Sequence, residues 1–160
     1  MIVIADTSPL NYLILIDAVN ILPSLYGKVY VAPACARELA TPEAPEQVRL
    51  WYKNRPKWLV ITAPRDASDP RLDHLDVGER EAIALAIELS ADLVLIDERD
   101  GRVAARTCGL TVAGTLRVLA DAAAIGLIDL PASFGKLRST SFRADPRLME
   151  LLLKEHGSIL

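Results

Sequence analysis

The sequence predicts an α/β protein, a three-layer α/β/α sandwich around a mostly parallel five-stranded sheet. Short apolar runs alternate with helical patterns from end to end of the chain. The runs are continuously apolar rather than alternating, the pattern of strands covered on both faces. Hydrophobic residues make up 51% of the 160 residues and aromatics only 5%, so Ala, Leu, Ile and Val supply the core, which suits helices packed on a sheet better than a barrel.

Taken in order, residues 2–5 read as a buried strand followed by a helix over 8–17. Residues 29–31 form a second strand, and Pro33 opens a helix through Ala40 with proline in its favoured first turn. A proline-bounded helix over 45–55 leads to a third strand at 59–62. The polar, proline-containing stretch 65–76 is a loop. A strong helix spans 79–89, with Ala82, Ile83 and Ala86 along one stripe. Residues 93–96 are the fourth strand, 103–108 a helix and 111–113 the fifth strand, before a helix over 116–124 that Gly126 ends. Beyond Pro131 come two weaker helical segments, 134–138 and 147–156. The expected organisation is one domain, with its core in residues 1–130 and a helical extension in 131–160.

Met1 runs directly into the first strand and no long apolar stretch escapes interruption by charge, so the expectation is a cytoplasmic protein without leader or membrane span. Cys35 and Cys108 form no CxxC pair and read as reduced thiols, and His74 and His156 lack any metal-ligand spacing. The net charge of −3 argues weakly against a nucleic-acid partner, yet setting five pocket carboxylates aside turns it into +2.

In an open parallel sheet, ligands bind beyond the carboxyl ends of the strands. The first strand ends at Asp6, followed by Thr7 and Ser8, and the fourth at Asp97 and Glu98. Glu38 lies in an otherwise apolar helix after the second strand, and Glu79 and Glu81 open the helix before the fourth. Two residues on a helix are about 200° apart, so Glu79 and Glu81 face different ways. Each acid also has an ordinary use: Asp6 as an N-cap, Glu79 and Glu81 as first-turn acids, Glu38 as a solvated residue. If they converge, repulsion would protonate some of them unless a hard cation bound by oxygen, Mg²⁺ or Mn²⁺, joined them. Such an ion acts naturally on a phosphodiester.

The opening Ile-Val-Ile-Ala-Asp6-Thr7-Ser8-Pro9-Leu10, the Val-Ala-Pro33 step with Glu38 following, Gly78-Glu79-Arg80-Glu81-Ala82-Ile83-Ala84, Leu95-Ile96-Asp97-Glu98-Arg99 and Val112-Ala113-Gly114-Thr115-Leu116 together resemble PIN-domain proteins of the VapC-like branch. The resemblance runs from Met1 to about Leu130, and the tail is similar to that branch too. It implies a Mg²⁺- or Mn²⁺-dependent ribonuclease, in this branch usually the toxin of a toxin–antitoxin pair. By position Asp6 takes the first metal carboxylate and Glu38 the second. The third matches Glu81 best, with Glu79 close behind, and the fourth falls at Asp97 or, one register on, Glu98. Thr7, Ser8 and Thr115 are the supporting polar groups. Many members carry Asp at the third position and Thr-x-Asp at the fourth strand end. The departures here make a weakly active or inactive module, binding a partner protein or RNA, the alternative.

Two rival chemistries fit less well. A dehalogenase-like phosphotransferase would need a second Asp where Ser8 stands, and a receiver domain would need a Lys near 111–115. Arg99, Arg102 and Arg106, beside the proposed pocket, are candidate contacts to RNA phosphates. The basic and apolar tail is expected to meet a second copy of the chain or a small antitoxin as well as the core.

Overall fold

The computed structural model describes residues 1–156. Strands β1 (Val3–Ala5), β2 (Val29–Val31), β3 (Leu59–Ile61), β4 (Leu93–Leu95) and β5 (Val112–Ala113) form one sheet in the order β3-β2-β1-β4-β5. Every pairing is parallel, with Ile4 opposite Tyr30 on one side and Val94 on the other. The chain builds outward from β1 to β3, then returns to β1's other edge to add β4 and β5. The connections therefore diverge between β1 and β4, which opens a crevice at the carboxyl ends of these two strands.

Helices α1 (Thr7–Leu15), α2 (Ile21–Tyr26), α3 (Pro33–Ala40), α4 (Glu46–Lys53), α5 (Val77–Glu88), α6 (Arg99–Thr107), α7 (Thr115–Ala124), α8 (Leu130–Arg138) and α9 (Pro146–His156) cover the sheet. Side chains alternate across a strand. Val3 and Ala5 enter one core with Leu10, Leu13, Val118 and Leu119, while Ile4 enters the other with Ile83, Leu85, Ala104 and Ala105. The three layers of the sandwich follow directly.

Several elements differ from the sequence reading, among them α8, which begins at Leu130 rather than at 134, with Asp129 as its cap and Pro131 in its first turn. The short α2 goes unread because only Ile21 and Leu22 of its residues are buried, too few to set a period. The polar stretch before α5 contains a 3₁₀ turn, Pro70–Leu72, capped by the Asp69 carboxylate accepting from the Arg71 N–H at 2.9 Å and anchored by fully buried Leu72. Helix α6 begins at Arg99, four residues before the expected start, because Gly101 hides its periodicity. A Cβ at that glycine would stand 2.4 Å from Glu79 Oε2 and 2.5 Å from Ile96 Cδ1, so any larger residue would have to displace one of these side-chain ends.

The C-terminal helices share the first core. Leu130, Phe134 and Leu137 of α8 and Met149 and Leu152 of α9 are buried in the same cluster as β1. On α9, Leu148 and Leu151 remain 37% and 52% exposed. No described helix is long and apolar enough to cross a membrane.

Phe134 is wholly inaccessible to solvent. Replacing it with Ala should lower unfolding free energy by about 3–5 kcal/mol, the cost of lost transfer energy plus a cavity. Urea denaturation measures this. A change within error would show that α8 packs only loosely on the sheet.

Candidate active site

The crevice at the ends of β1 and β4 collects the acids. Asp6 directly follows β1, and its N–H donates to Leu95 O at 2.9 Å, so the backbone is still locked to β4 where the carboxylate leaves it. Asp6 is the N-cap residue of α1, yet its side chain makes no capping hydrogen bond. It is only 6% exposed. Burial pushes its carboxyl up to about 7, partly offset by the Thr7 N–H and reinforced by the negative charges of Glu38, Asp76 and Asp97.

Glu38 reaches this point from α3, where its Oε2 accepts a hydrogen bond from the Thr7 hydroxyl. Gly78 marks the place where the carboxylates come closest. A Cβ there would lie 2.7 Å from Glu38 Oε1, 3.4 Å from Asp76 Oδ1 and 3.5 Å from Asp6 Oδ1. The Asp6 and Glu38 oxygens are thus no farther apart than the sum of their two distances to that spot. Three carboxylates from different elements crowd one glycine.

Asp76 ends the polar stretch 65–76 that the sequence predicts as a loop. It caps α5, accepting from the Glu79 N–H at 2.8 Å. An acid three residues ahead of a Glu and an Ala-rich run is a helix-start signal, and that signal would have found it. Glu79 itself is 7% exposed. Its carboxyl is pushed up to about 8, by burial first, then by its hydrogen bond and charge repulsion with Asp76, then by Asp6. Its buried Oε2 has no hydrogen-bond partner among the described residues.

Glu81 lies on the other side of α5. One oxygen accepts from the Ala34 N–H at 3.0 Å and the other is 3.7 Å from the Arg37 guanidinium, so it ties α5 to the start of α3. Asp97 is held on the far side of Asp6. Its Oδ2 accepts from the Ser8 and Thr115 hydroxyls, both at 2.8 Å, and its Oδ1 from the Thr115 N–H at 2.7 Å. Gly114 permits this approach, since a Cβ there would stand 2.9 Å from Asp97 Oδ1. Glu98 is exposed at the N-cap of α6 and makes no capping bond.

A cleft of about 740 Å³ begins at Ser8 and Asp97 and runs past Glu98. Its walls carry Arg99, Arg102, Arg106, Arg117 and Arg143. The first three, at i, i+3 and i+7, share one face of α6. Arg102 also donates to the carbonyl oxygen of Asp97. Among the described residues none of the five forms a salt bridge with a carboxylate. The lining of the cleft joins these five arginines to three acids, Asp97, Glu98 and Asp145.

The donors are all carboxylate and hydroxyl oxygens, the ligands hard divalent cations take. Among the described residues no group of three or more Asp, Glu, His or Cys side chains is arranged so that it could hold a metal ion. The oxygens of Glu38 and Asp6 that crowd Gly78 nonetheless fit a cation that keeps much of its water and takes one or two carboxylates, as Mg²⁺ does.

The raised carboxyl of Asp6 sets a pH dependence. Its folded value of about 7 lies above the ordinary 3.8, so the folded state binds more protons between the two and metal-free stability falls as pH rises through that window. Asp6→Asn should therefore stabilise the chelator-treated protein by roughly 2–4 kcal/mol above pH 7, the gain shrinking toward pH 4. Urea titrations at several pH values test it, and a pH-independent difference would mean that Asp6 is not buried as an acid.

Among curated proteins and among solved structures, nothing matches the chain. A family model described as PIN domain matches residues 2–158. PIN domains are generally nucleases and typically use divalent metal ions. With the all-parallel five-stranded sandwich and the acids gathered where β1 and β4 diverge, that match over almost the whole length places this chain in the PIN-domain family.

Proposed function

We propose that this protein is a ribonuclease that hydrolyses RNA phosphodiester bonds with a well-hydrated Mg²⁺ or Mn²⁺ ion held by Asp6 and Glu38, with Asp76 beside them. The observation that carries the reading is the environment of Asp6. Glu38, Asp76 and Asp97, the charged side chains that shift its carboxyl, are all negative, and among the described residues none of Asp6, Glu38 and Asp76 forms a salt bridge. A bound divalent ion would balance these charges, activate a water and neutralise phosphate oxygens.

The chain's own groups supply the rest. Asp97, pinned by Ser8 and Thr115, keeps one carboxylate fixed at the pocket's edge for the ion's outer shell or the attacking water. Glu79, its carboxyl raised to about 8, holds a proton near neutral pH beside Asp76 until a cation arrives. Glu81 positions α5 against α3, and Glu98 stands at the cleft mouth. Arg99, Arg102 and Arg106 bind phosphates of the strand.

The VapC-like resemblance supports a toxin role for this nuclease in the cytoplasm, with a small antitoxin as partner and a homodimer as the working form. Leu148 and Leu151 on α9 are available to such an interface.

A second reading, a PIN-like module that binds RNA or protein without cutting, draws on two features. Asp97 already accepts three hydrogen bonds within the chain, and among the described residues no group of three or more acids, histidines or cysteines is arranged to hold a metal ion.

Calorimetric Mn²⁺ titration and cleavage of labelled RNA separate the readings. The native protein should bind Mn²⁺ and cut RNA, and Asp6→Asn should weaken binding by about tenfold or more and abolish cutting. Expression of the native chain, but not the Asp6→Asn form, should arrest bacterial growth if it is a toxin. RNA binding without metal binding or cleavage in the native protein would establish the non-catalytic module.

A further inference from the structure

The arginine cleft contains a feature that phosphate binding does not use. Tyr12 and Phe142 both line it, packed edge to face with ring centroids 5.0 Å apart and planes at 77°. The Tyr12 hydroxyl and Ser141 Oγ are 3.0 Å apart, which ties α1 to the segment joining α8 and α9. Tyr12 is four residues beyond Ser8 on α1, so it lies on the same face one turn away from the hydroxyl that holds Asp97. Exposed Arg143 stands next in sequence to Phe142 and lines the same cleft.

The geometry points to a nucleobase subsite at Tyr12 and Phe142, with Arg143 on the adjoining phosphate. It holds one unpaired nucleotide of an RNA strand just beyond the acidic pocket. In an edge-to-face pair the edge-on ring keeps both faces free of its partner, and a free aromatic face is what an unstacked base needs. A paired base has both faces covered in its own stack and cannot reach it. The cleft volume of about 740 Å³ lies within the range of pockets that enclose small ligands, and a nucleotide is of that class. An aromatic pair alone would be ordinary edge packing, and both rings do touch the core. Their position in a cationic cleft one helical turn from the carboxylate site gives the pair its function. The C-terminal segment then reads substrate instead of only covering the sheet.

The inference rests on the ribonuclease reading for the identity of the strand, and its test separates the two. Binding of a fluorescent oligoadenylate of about twelve nucleotides, and of the same sequence locked in a hairpin stem, is measured in chelator by anisotropy. The native protein should prefer the unpaired probe. Phe142→Leu, which keeps apolar packing but loses the ring, should weaken that probe by about tenfold with little effect on the stem. Arg143→Ala, at an exposed position, should weaken both and flatten the salt dependence. Thermal unfolding of each variant checks the fold, and Arg143→Ala carries the test if Phe142→Leu loosens the packing. Equal affinity for the two probes, or unchanged binding in both variants, overturns the subsite even if the protein cuts RNA with Mn²⁺. The expected binding pattern without any cleavage supports the subsite and removes the ribonuclease reading instead.

Discussion

The carboxyl group of Asp6 sits where this fold tolerates charge least, at the end of the central strand, with backbone bonds to β4 on one side and the helix of Thr7–Leu15 starting beside it. Burial raises its proton affinity, and three further acids raise it again. On the proposed function, a bound cation would relieve this arrangement, because unpaired buried charge costs several kcal/mol. Much of the surrounding structure keeps that group in place and open to such a ligand. Gly78 leaves room for the oxygens, Thr7 steadies Glu38, and Asp76 is drawn in by its need to cap a helix.

The sheet order produces the pocket by topology alone. With β1 in the centre and the connections diverging on either side of it, the carboxyl ends of β1 and β4 face an uncovered crevice. Asp6 and Asp97 are the residues that emerge there. Their environments differ: Asp6 is nearly dry and short of donors, whereas Asp97 is held by two hydroxyls and an amide. Two acids at equivalent strand ends are thereby set apart, one buried and short of donors and one fixed by hydrogen bonds.

Charge is segregated over a short distance. The acids gather toward Gly78, and the arginines extend from Asp97 along the Arg99–Thr107 helix into a cleft that the C-terminal segment helps to wall. Such a field lowers the cost of bringing a polyanion to a negatively charged pocket, since phosphates meet cations before they meet carboxylates. On the proposed function, this segregation would let a protein of net charge −3 present a cationic face to RNA. The aromatic pair of Tyr12 and Phe142 adds an apolar element to that surface at one defined point.

The local sequence determined the strands and most helices, because continuous β-branched runs and proline- or glycine-marked helix ends are short-range signals. It also determined which acids would stand at the ends of β1 and β4, since a residue directly after a buried strand has nowhere else to emerge. What it left open required long-range information. Glu79 and Glu81 are equivalent in composition and position, and only the packing of α5 turns one toward Asp76 and Asp6 and the other toward Ala34 and Arg37. Asp76 belonged to a polar loop until the fold placed its capping carboxylate beside Glu38 and Asp6. The meeting of Tyr12 with Phe142 joins positions 130 residues apart, a contact that no local pattern encodes. Side-chain direction on a helix and proximity between distant segments are set by tertiary packing, and this is why the composition of the site was readable from the chain while its arrangement was decided by the fold.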